Sequence, residues 1–201
     1  MALKKISFCI SFYLLVSTGG MRAQARSLFD IEVARVKVGN LVTEKIQKDS
    51  LTFYIFTSEV DAWLIVRVRV SHLIVCVYKK DKLIRADIHS VINKEKYVSH
   101  VEWKQDHYEY DCATYKYHKS GTLFEDIHFS VVKMYFEEPL EQQKIFTENY
   151  GVFSQLQRLK PSTYRLEVEK NKNTFYYNSS GLQRVDMETP LLHYSIRRKK
   201  T

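Results

Sequence analysis

The sequence predicts a mainly β protein, a strongly curled antiparallel sheet of half-barrel or barrel-like form with one short helix. Apolar and polar residues alternate with period two through most of the chain, the pattern of strands with one face in a core. Turn-forming residues recur at short intervals between these runs. A hydrophobic content of 45% with six Gly and three Pro in 201 residues excludes a disordered or collagen-like chain. About a dozen short strands cannot lie in one flat sheet, because strand twist and exposed edges both drive closure.

The first 25 residues read as a secretory signal peptide. Lys4 and Lys5 form a basic start, residues 6–16 are apolar, and Ala23-Gln24-Ala25 has the small-x-small form of a cleavage site. That apolar run falls well short of the ~20 residues a membrane-spanning helix needs. Residues 26–201 are therefore expected to be a single β-rich domain with a basic C-terminal tail, exported to the periplasm or cell envelope. A membrane surface stays open as a partner, an integral place in the membrane does not, and the basic tail reads as a solvated terminus more than as an anionic-surface contact. Without the leader the chain holds 28 basic and 23 acidic residues, a net charge of +5, and Arg197, Arg198, Lys199 and Lys200 supply four of the positive charges. The remainder is nearly neutral with acids interspersed, which argues against a nucleic-acid partner.

In the first strand Phe29, Ile31 and Val33 alternate with Asp30, Glu32 and Ala34, and the run continues to Val38. Gly39-Asn40 supplies its turn, since both residues tolerate positive φ. Strands over 41–48 and 51–60 follow, parted by Asp49-Ser50. Residues 63–78 are the most apolar stretch, with Leu64, Val66, Val68, Val70, Ile74 and Cys76 on one face and Leu73, Val75 and Val77 on the other. That marks a central strand, bent or bulged near Ser71-His72. After a turn at 79–82, Ile84, Ala86, Ile88 and Ile92 face inward opposite Arg85, Asp87 and His89. Tyr97, Val101 and Trp103 then oppose His100, Glu102 and Lys104, and Tyr108, Tyr110 and Cys112 oppose His107, Glu109 and Asp111. Within 127–138, Phe129, Val132 and Phe136 have helical spacing that Pro139 ends, so one short helix or helical turn is expected there. Further strands are expected at 144–149, 153–159, 164–169, 174–178, 182–188 and 192–197, with turns at Tyr150-Gly151, Lys160-Pro161, Asn171-Lys172-Asn173 and Ser179-Ser180-Gly181.

Cys76 and Cys112 both point to the apolar side. An oxidising compartment permits a disulfide between them, and two buried free thiols fit equally well because two strands intervene. Seven histidines are scattered about one per strand, without His-x-His, His-Glu-x-x-His or paired Cys/His spacing, so no metal and no cofactor is expected. No Gly-x-Ser-x-Gly elbow occurs, and no catalytic residue is assigned. An enzyme would require a convergent polar cluster, such as His89, His100 and Glu102 inside a cleft. The aromatic bias suits strands and amphipathic rims. The candidate apolar-ligand face comprises Leu64, Val66, Val68, Val70, Ile74, Trp103, Tyr108 and Tyr110 on the concave side.

Three segments carry a resemblance: Val36-Lys37-Val38-Gly39, Phe129-Ser130-Val131-Val132-Lys133-Met134-Tyr135-Phe136-Glu137-Glu138-Pro139, and Phe146-Thr147-Glu148-Asn149-Tyr150-Gly151. Together they resemble a family of exported proteins of unknown function found in the Bacteroidota, over nearly all of the mature chain. The resemblance implies a β-rich domain of the periplasm or cell envelope and carries over no catalytic residues. More remotely, the pattern is similar to curled-sheet envelope proteins that hold lipids or lipoprotein acyl chains, a likeness of fold alone. The expectation is a non-enzymatic envelope protein that binds a lipid or other apolar ligand, or a partner protein, in or on the curled sheet. The alternatives are a hydrolase-type enzyme with a polar site outside the known motifs, and a small outer-membrane β-barrel.

Overall fold

The computed structural model describes residues 23–63, 66–190 and 192–199. Most of the expected leader, residues 1–22, and the expected face residue Leu64 lie outside the described residues. The strands are β1 (Ala23–Val33), β2 (Val36–Lys48), β3 (Leu51–Trp63), β4 (Arg67–Lys79), β5 (Lys82–Ile92), β6 (Glu95–Trp103) and β7 (Tyr108–Thr114) in one half. They continue as β8 (Tyr117–Leu123), β9 (Lys144–Thr147), β10 (Val152–Lys160), β11 (Thr163–Val168), β12 (Asn171–Asn178), β13 (Gly181–Glu188) and β14 (His193–Arg198). All fourteen form one antiparallel sheet in the order β8-β7-β6-β5-β4-β3-β2-β1-β14-β13-β12-β11-β10-β9. Short turns make each strand pair with its chain neighbour, and β1 pairs in addition with β14, from Phe29↔Arg198 to Glu32↔Ser195. The sheet is thus mainly β and curled as expected, and its ladder stays open at β8 and β9.

Several elements differ from the sequence expectation: the bulge opposite Val77/Tyr78 turns Leu83 inward in place of Ile84, and the turn expected at Asn171-Lys172-Asn173 falls at Glu169-Lys170, both with positive φ, so that Asn171 already opens β12. The first turn lies at Ala34-Arg35, both with positive φ, and not at Gly39-Asn40. Gly39 sits inside β2 between Ile31 and Val60, where a Cβ would come within 2.2 Å of the Glu59 carbonyl oxygen. The glycine there serves close backbone approach beside a bulge. Residues 63–78 are not one strand: β3 ends at Trp63, β4 begins at Arg67, and the irregularity falls at Val77/Tyr78 instead of Ser71-His72. An apolar turn carries no periodic signature to separate it from a strand. The unforeseen β8 is an edge strand with almost every residue exposed or half-exposed, so alternation is absent from its sequence.

The expected helix reduces to a single 3₁₀ turn, Lys133–Tyr135. Its segment, residues 127–136, runs from the β8 edge into the curl and covers the inner face. Ile127, Val132 and Met134 are fully buried. Tyr135 sets its ring edge-on against Phe29, Phe56 and Phe175 at 5.9, 5.1 and 6.3 Å, touching strands from both halves of the sheet. The insert's backbone is satisfied as burial demands. Leu83 N–H donates to Ile127 O at 2.8 Å, Val131 N–H to Phe146 O at 3.0 Å, and the Tyr177 hydroxyl to Met134 O at 2.7 Å. The buried Lys133 ammonium donates to Asp81 Oδ1 at 2.9 Å and His128 O at 3.0 Å. Glu137 accepts from Lys45 Nζ and the Tyr54 hydroxyl, both at 2.9 Å.

Side chains bring the two free ends of the sheet together. The Tyr117 hydroxyl of β8 donates to Tyr150 O at 2.7 Å, and the two rings meet edge to face at 5.0 Å. Tyr110 fills the space left by Gly121 and Gly151; a Cβ on Gly151, whose φ is +63°, would lie 2.6 Å from the Tyr110 ring. Tyr135→Ala should cost about 3–5 kcal/mol in urea unfolding, by removing a fully packed aromatic. Gly151→Ala should cost about 1–3 kcal/mol through strain and the Tyr110 clash.

Candidate functional site

The inner face of β4 to β7 is made by alternate residues, so it presents Ile74, Cys76 and Tyr78, then Ala86 and Ile88, Val101, and finally Tyr108 and Cys112, all buried. The insert lies on it. The Tyr78 hydroxyl donates to Ser130 Oγ at 2.9 Å. The Tyr108 hydroxyl donates to Leu83 O at 2.7 Å and accepts from Ile127 N–H at 3.3 Å. Of the expected ligand face, Ile74 and Tyr108 are therefore already covered by the chain itself. Trp103 packs edge-on to Tyr108 at 4.8 Å with the Lys82 ammonium 3.0 Å above its ring, and Tyr110 is held at the glycines. Val68 and Val70 are half-buried towards the open end of β4, and Val66 is exposed at the turn.

Glu148, in the β9–β10 turn, is 2% exposed and occupies the middle of this interior. Its Oε1 accepts from Val132 N–H at 3.0 Å and lies 3.7 Å from Cys76 Sγ, while Cys112 Sγ is 3.4 Å from its carbonyl oxygen. Burial raises its pKa, opposed by hydrogen bonds from the Ser130 hydroxyl and the Val132 amide. Burial also pushes Cys76 well up and Cys112 up to about 12, so neither thiol is a ready nucleophile. Of the two states that the sequence allows, bridge or free thiols, the structure has the second. Cys76 and Cys112 stand three strands apart, about 14 Å along the sheet at ~4.8 Å per strand, beyond the ~7 Å Cα span of a disulfide.

His72, inward on β4, has Nδ1 2.5 Å from Ser90 Oγ and its ring 5.9 Å from Phe56. Burial lowers its pKa to about 4, so it is neutral at physiological pH and a weak general base. Charged groups of the opposite face lie on the convex outside. His100 Nδ1 is 2.8 Å from Asp87 Oδ1, Arg85 joins Asp87 at 2.6 Å and Glu102 at 3.8 Å, and Lys104 pairs with Glu102. A shallow groove of about 250 Å³ beside them is lined by His100, Glu102, Lys104, Glu109, Tyr110 and Asp111. The structure thus brings His100 and Glu102 together, whereas His89 faces Val98 and Leu73 on the same side. This is a solvated cross-strand ladder and not a cleft. Among the described residues no group of three or more His, Cys, Asp or Glu is placed to hold a metal ion.

The feature that sequence reading missed is the β3–β4 hairpin. Val60 is the last β3 residue paired with β2, opposite Gly39, and Val70 the first of β4 paired with β5, opposite Ile92. Beyond them Asp61 pairs with Arg69, Ala62 with Val68 and Trp63 with Arg67; the Arg69 N–H also donates to Asn93 Oδ1 at 2.8 Å and its carbonyl accepts from Asn93 N–H at 2.9 Å, and Ala62 is buried. At the tip Trp63 is 76% and Val66 62% exposed. Asp61 accepts two bonds from Arg67, at 2.9 and 2.7 Å, and one from Arg69 at 3.3 Å. The signal that could have located it is the Asp61…Arg67-x-Arg69 spacing, which places opposite charges across a turn.

Glu148 and His72 give opposite pH dependences. Glu148 has a folded pKa above 4.5, so the fold holds a proton that the unfolded chain has lost. Its contribution is complete below 4.5 and declines as pH rises towards the folded value. Glu148→Gln should abolish that decline, its unfolding free energy gaining on wild type between pH 4 and pH 8. For His72 the folded pKa of about 4 lies below 6.5; stability is complete above 6.5 and falls towards pH 4 by up to about 1.4 kcal/mol per pH unit. His72→Gln should flatten that acid limb in urea titrations.

Among solved structures the chain is similar to a beta-barrel-like protein of domain of unknown function DUF1849 from Brucella abortus. The match has a TM-score of 0.52 and 10% identity, and covers 87% of this chain and 95% of that one. At such identity the likeness speaks for the fold alone. No curated protein matches the chain. The model of the domain of unknown function family DUF6134 matches residues 29–199, from the first fully buried ring of β1 to the residue after β14, and the chain belongs to that family.

Proposed function

We propose that this is a non-enzymatic binding domain of the cell envelope, exported by the leader in its first 25 residues, which works from the outside of its sheet. The observation that carries this reading is the insert: residues 127–136 take the place on the inner face that a carried lipid or other apolar ligand would need. The buried groups nearest to chemistry support it, since the thiols are held protonated and His72 neutral. Side-chain sorting also runs opposite to that of an outer-membrane barrel, which turns apolar residues outward and polar ones to its lumen. Here the interior is apolar, and Arg85, Asp87, His100 and Glu102 face out.

Native mass spectrometry of the exported protein tests the reading. The expected spectrum is the processed chain, starting at Arg26, without an apolar adduct, and an apolar dye should show no enhancement until the protein unfolds. A lipid retained through gel filtration and released only on unfolding would overturn it.

A further inference from the structure

We infer that residues 128–132 of the insert are an arm latched by the proton on Glu148, which opens locally, with the sheet intact, when that proton is lost. This goes beyond the reading above, which needs only that the interior be filled. The arm runs along the outer edge of β9, where it makes one parallel bridge, Ser130↔Phe146. Val131 N–H donates there to Phe146 O at 3.0 Å, and Phe146 N–H to Phe129 O at 3.1 Å. The other ties of the arm converge on one carboxyl group. Glu148 Oε1 accepts from Val132 N–H at 3.0 Å, and the Ser130 hydroxyl bonds the same carboxyl while accepting from the Tyr78 hydroxyl at 2.9 Å. The remaining anchors of the insert lie on either side, at Ile127 and from Lys133 to Tyr135. The arm is therefore a short stretch between fixed ends, the kind of segment that opens without the rest of the fold.

Among the described residues no cation is bonded to this carboxyl, whose partners are an amide, a hydroxyl and a thiol. The titratable groups that face it are Cys76 and Tyr78 of β4, Cys112 of β7 and Tyr135 of the insert, none of them a cation. Lys119 of β8 acts on Cys112, and Asp87 of β5 on Cys76 from the other face of the sheet. Lys133 turns away to Asp81 and Glu137, and His128, where the arm begins, is exposed and sits 3.2 Å from Asp81 O. The closed arm thus favours the neutral acid, with a pKa raised above 4.5 by burial. Lifting the arm returns Glu148 to water and to the ordinary carboxylate range, so the open form ionises first. Opening is held back at acid pH, grows up to tenfold per pH unit from 4.5 to the folded pKa, and is constant above it.

Cys76 is a reporter built into the site, since its thiol is fully buried and lies 3.7 Å from Glu148 Oε1. In the processed chain a Cys112→Ser background leaves it as the single thiol. The test is its labelling by methyl methanethiosulfonate from pH 5 to pH 8, with Glu148 in place and with Glu148→Gln. Below the ordinary thiol pKa of about 8.5 the thiolate fraction alone raises labelling tenfold per pH unit in both proteins. With Glu148 in place a further rise of up to tenfold per unit is expected, so the ratio of the two rates grows with pH and then levels. Amide exchange over residues 128–132, followed in the chain with Cys112 intact, should show the same dependence on Glu148 while the β4 amides stay protected. A rate ratio that does not change with pH, or labelling with a urea dependence as steep as that of global unfolding, overturns the inference.

Discussion

The apolar inner face of one long antiparallel sheet has to be kept from water, and this protein covers it with its own residues 127–136. Ile127, Val132 and Met134 each contribute about 1.5–3 kcal/mol by burial, and Tyr135 reaches Phe29, Phe56 and Phe175, which belong to three distant strands. Because those strands lie on both sides of the β1–β14 junction, one side chain holds the curl to its curvature. The polar groups of the insert are consequences of the same position. Lys133 goes inside only because Asp81 and His128 O receive its ammonium, and Val132 N–H finds its acceptor in Glu148.

The seam between β8 and β9 works by a different principle. Backbone pairing would close the sheet completely, but the edges meet through Tyr117, Tyr150 and Tyr110 instead. Such a seam is made of a few specific contacts that depend on two glycines leaving room for a ring. With the centre filled and the seam latched by aromatics, the convex ladder around His100 and the β3–β4 hairpin are two of the surfaces left to solvent. The ladder satisfies its charges internally, whereas the β3–β4 tip leaves Trp63 and Val66 to solvent.

Most of the sheet was legible because alternation is a direct image of a strand with one wet and one dry face. From Ala86 to Ile88 and from Tyr108 to Cys112 the inward residues are those the pattern selects, whereas the bulge opposite Val77/Tyr78 turns Leu83 inward in place of Ile84. The pattern fails wherever its cause is missing. β8, at an edge, has no dry face and so no alternation. Trp63 and Val66 are apolar yet exposed, so their apolar character does not report a covered strand, and Gly39 marks close contact where a turn was expected. The insert's irregular path could not be read as helix or strand because it is neither for most of its length: it is shaped by the cavity it fills. The central role of Glu148 left no trace either, since a single acid before Asn-Tyr-Gly looks like an ordinary turn residue until Cys76, Ser130 and Val132 are folded around it.

The pairing of β1 with β14 places the earliest and the latest strands side by side near the middle of the sheet order. Loop closure across nearly all of the described chain must precede that ladder, which makes it the slowest contact to form. A nascent polypeptide can therefore zip β1 to β8 locally, yet it keeps one flank of β1 unpaired until its last residues have been delivered.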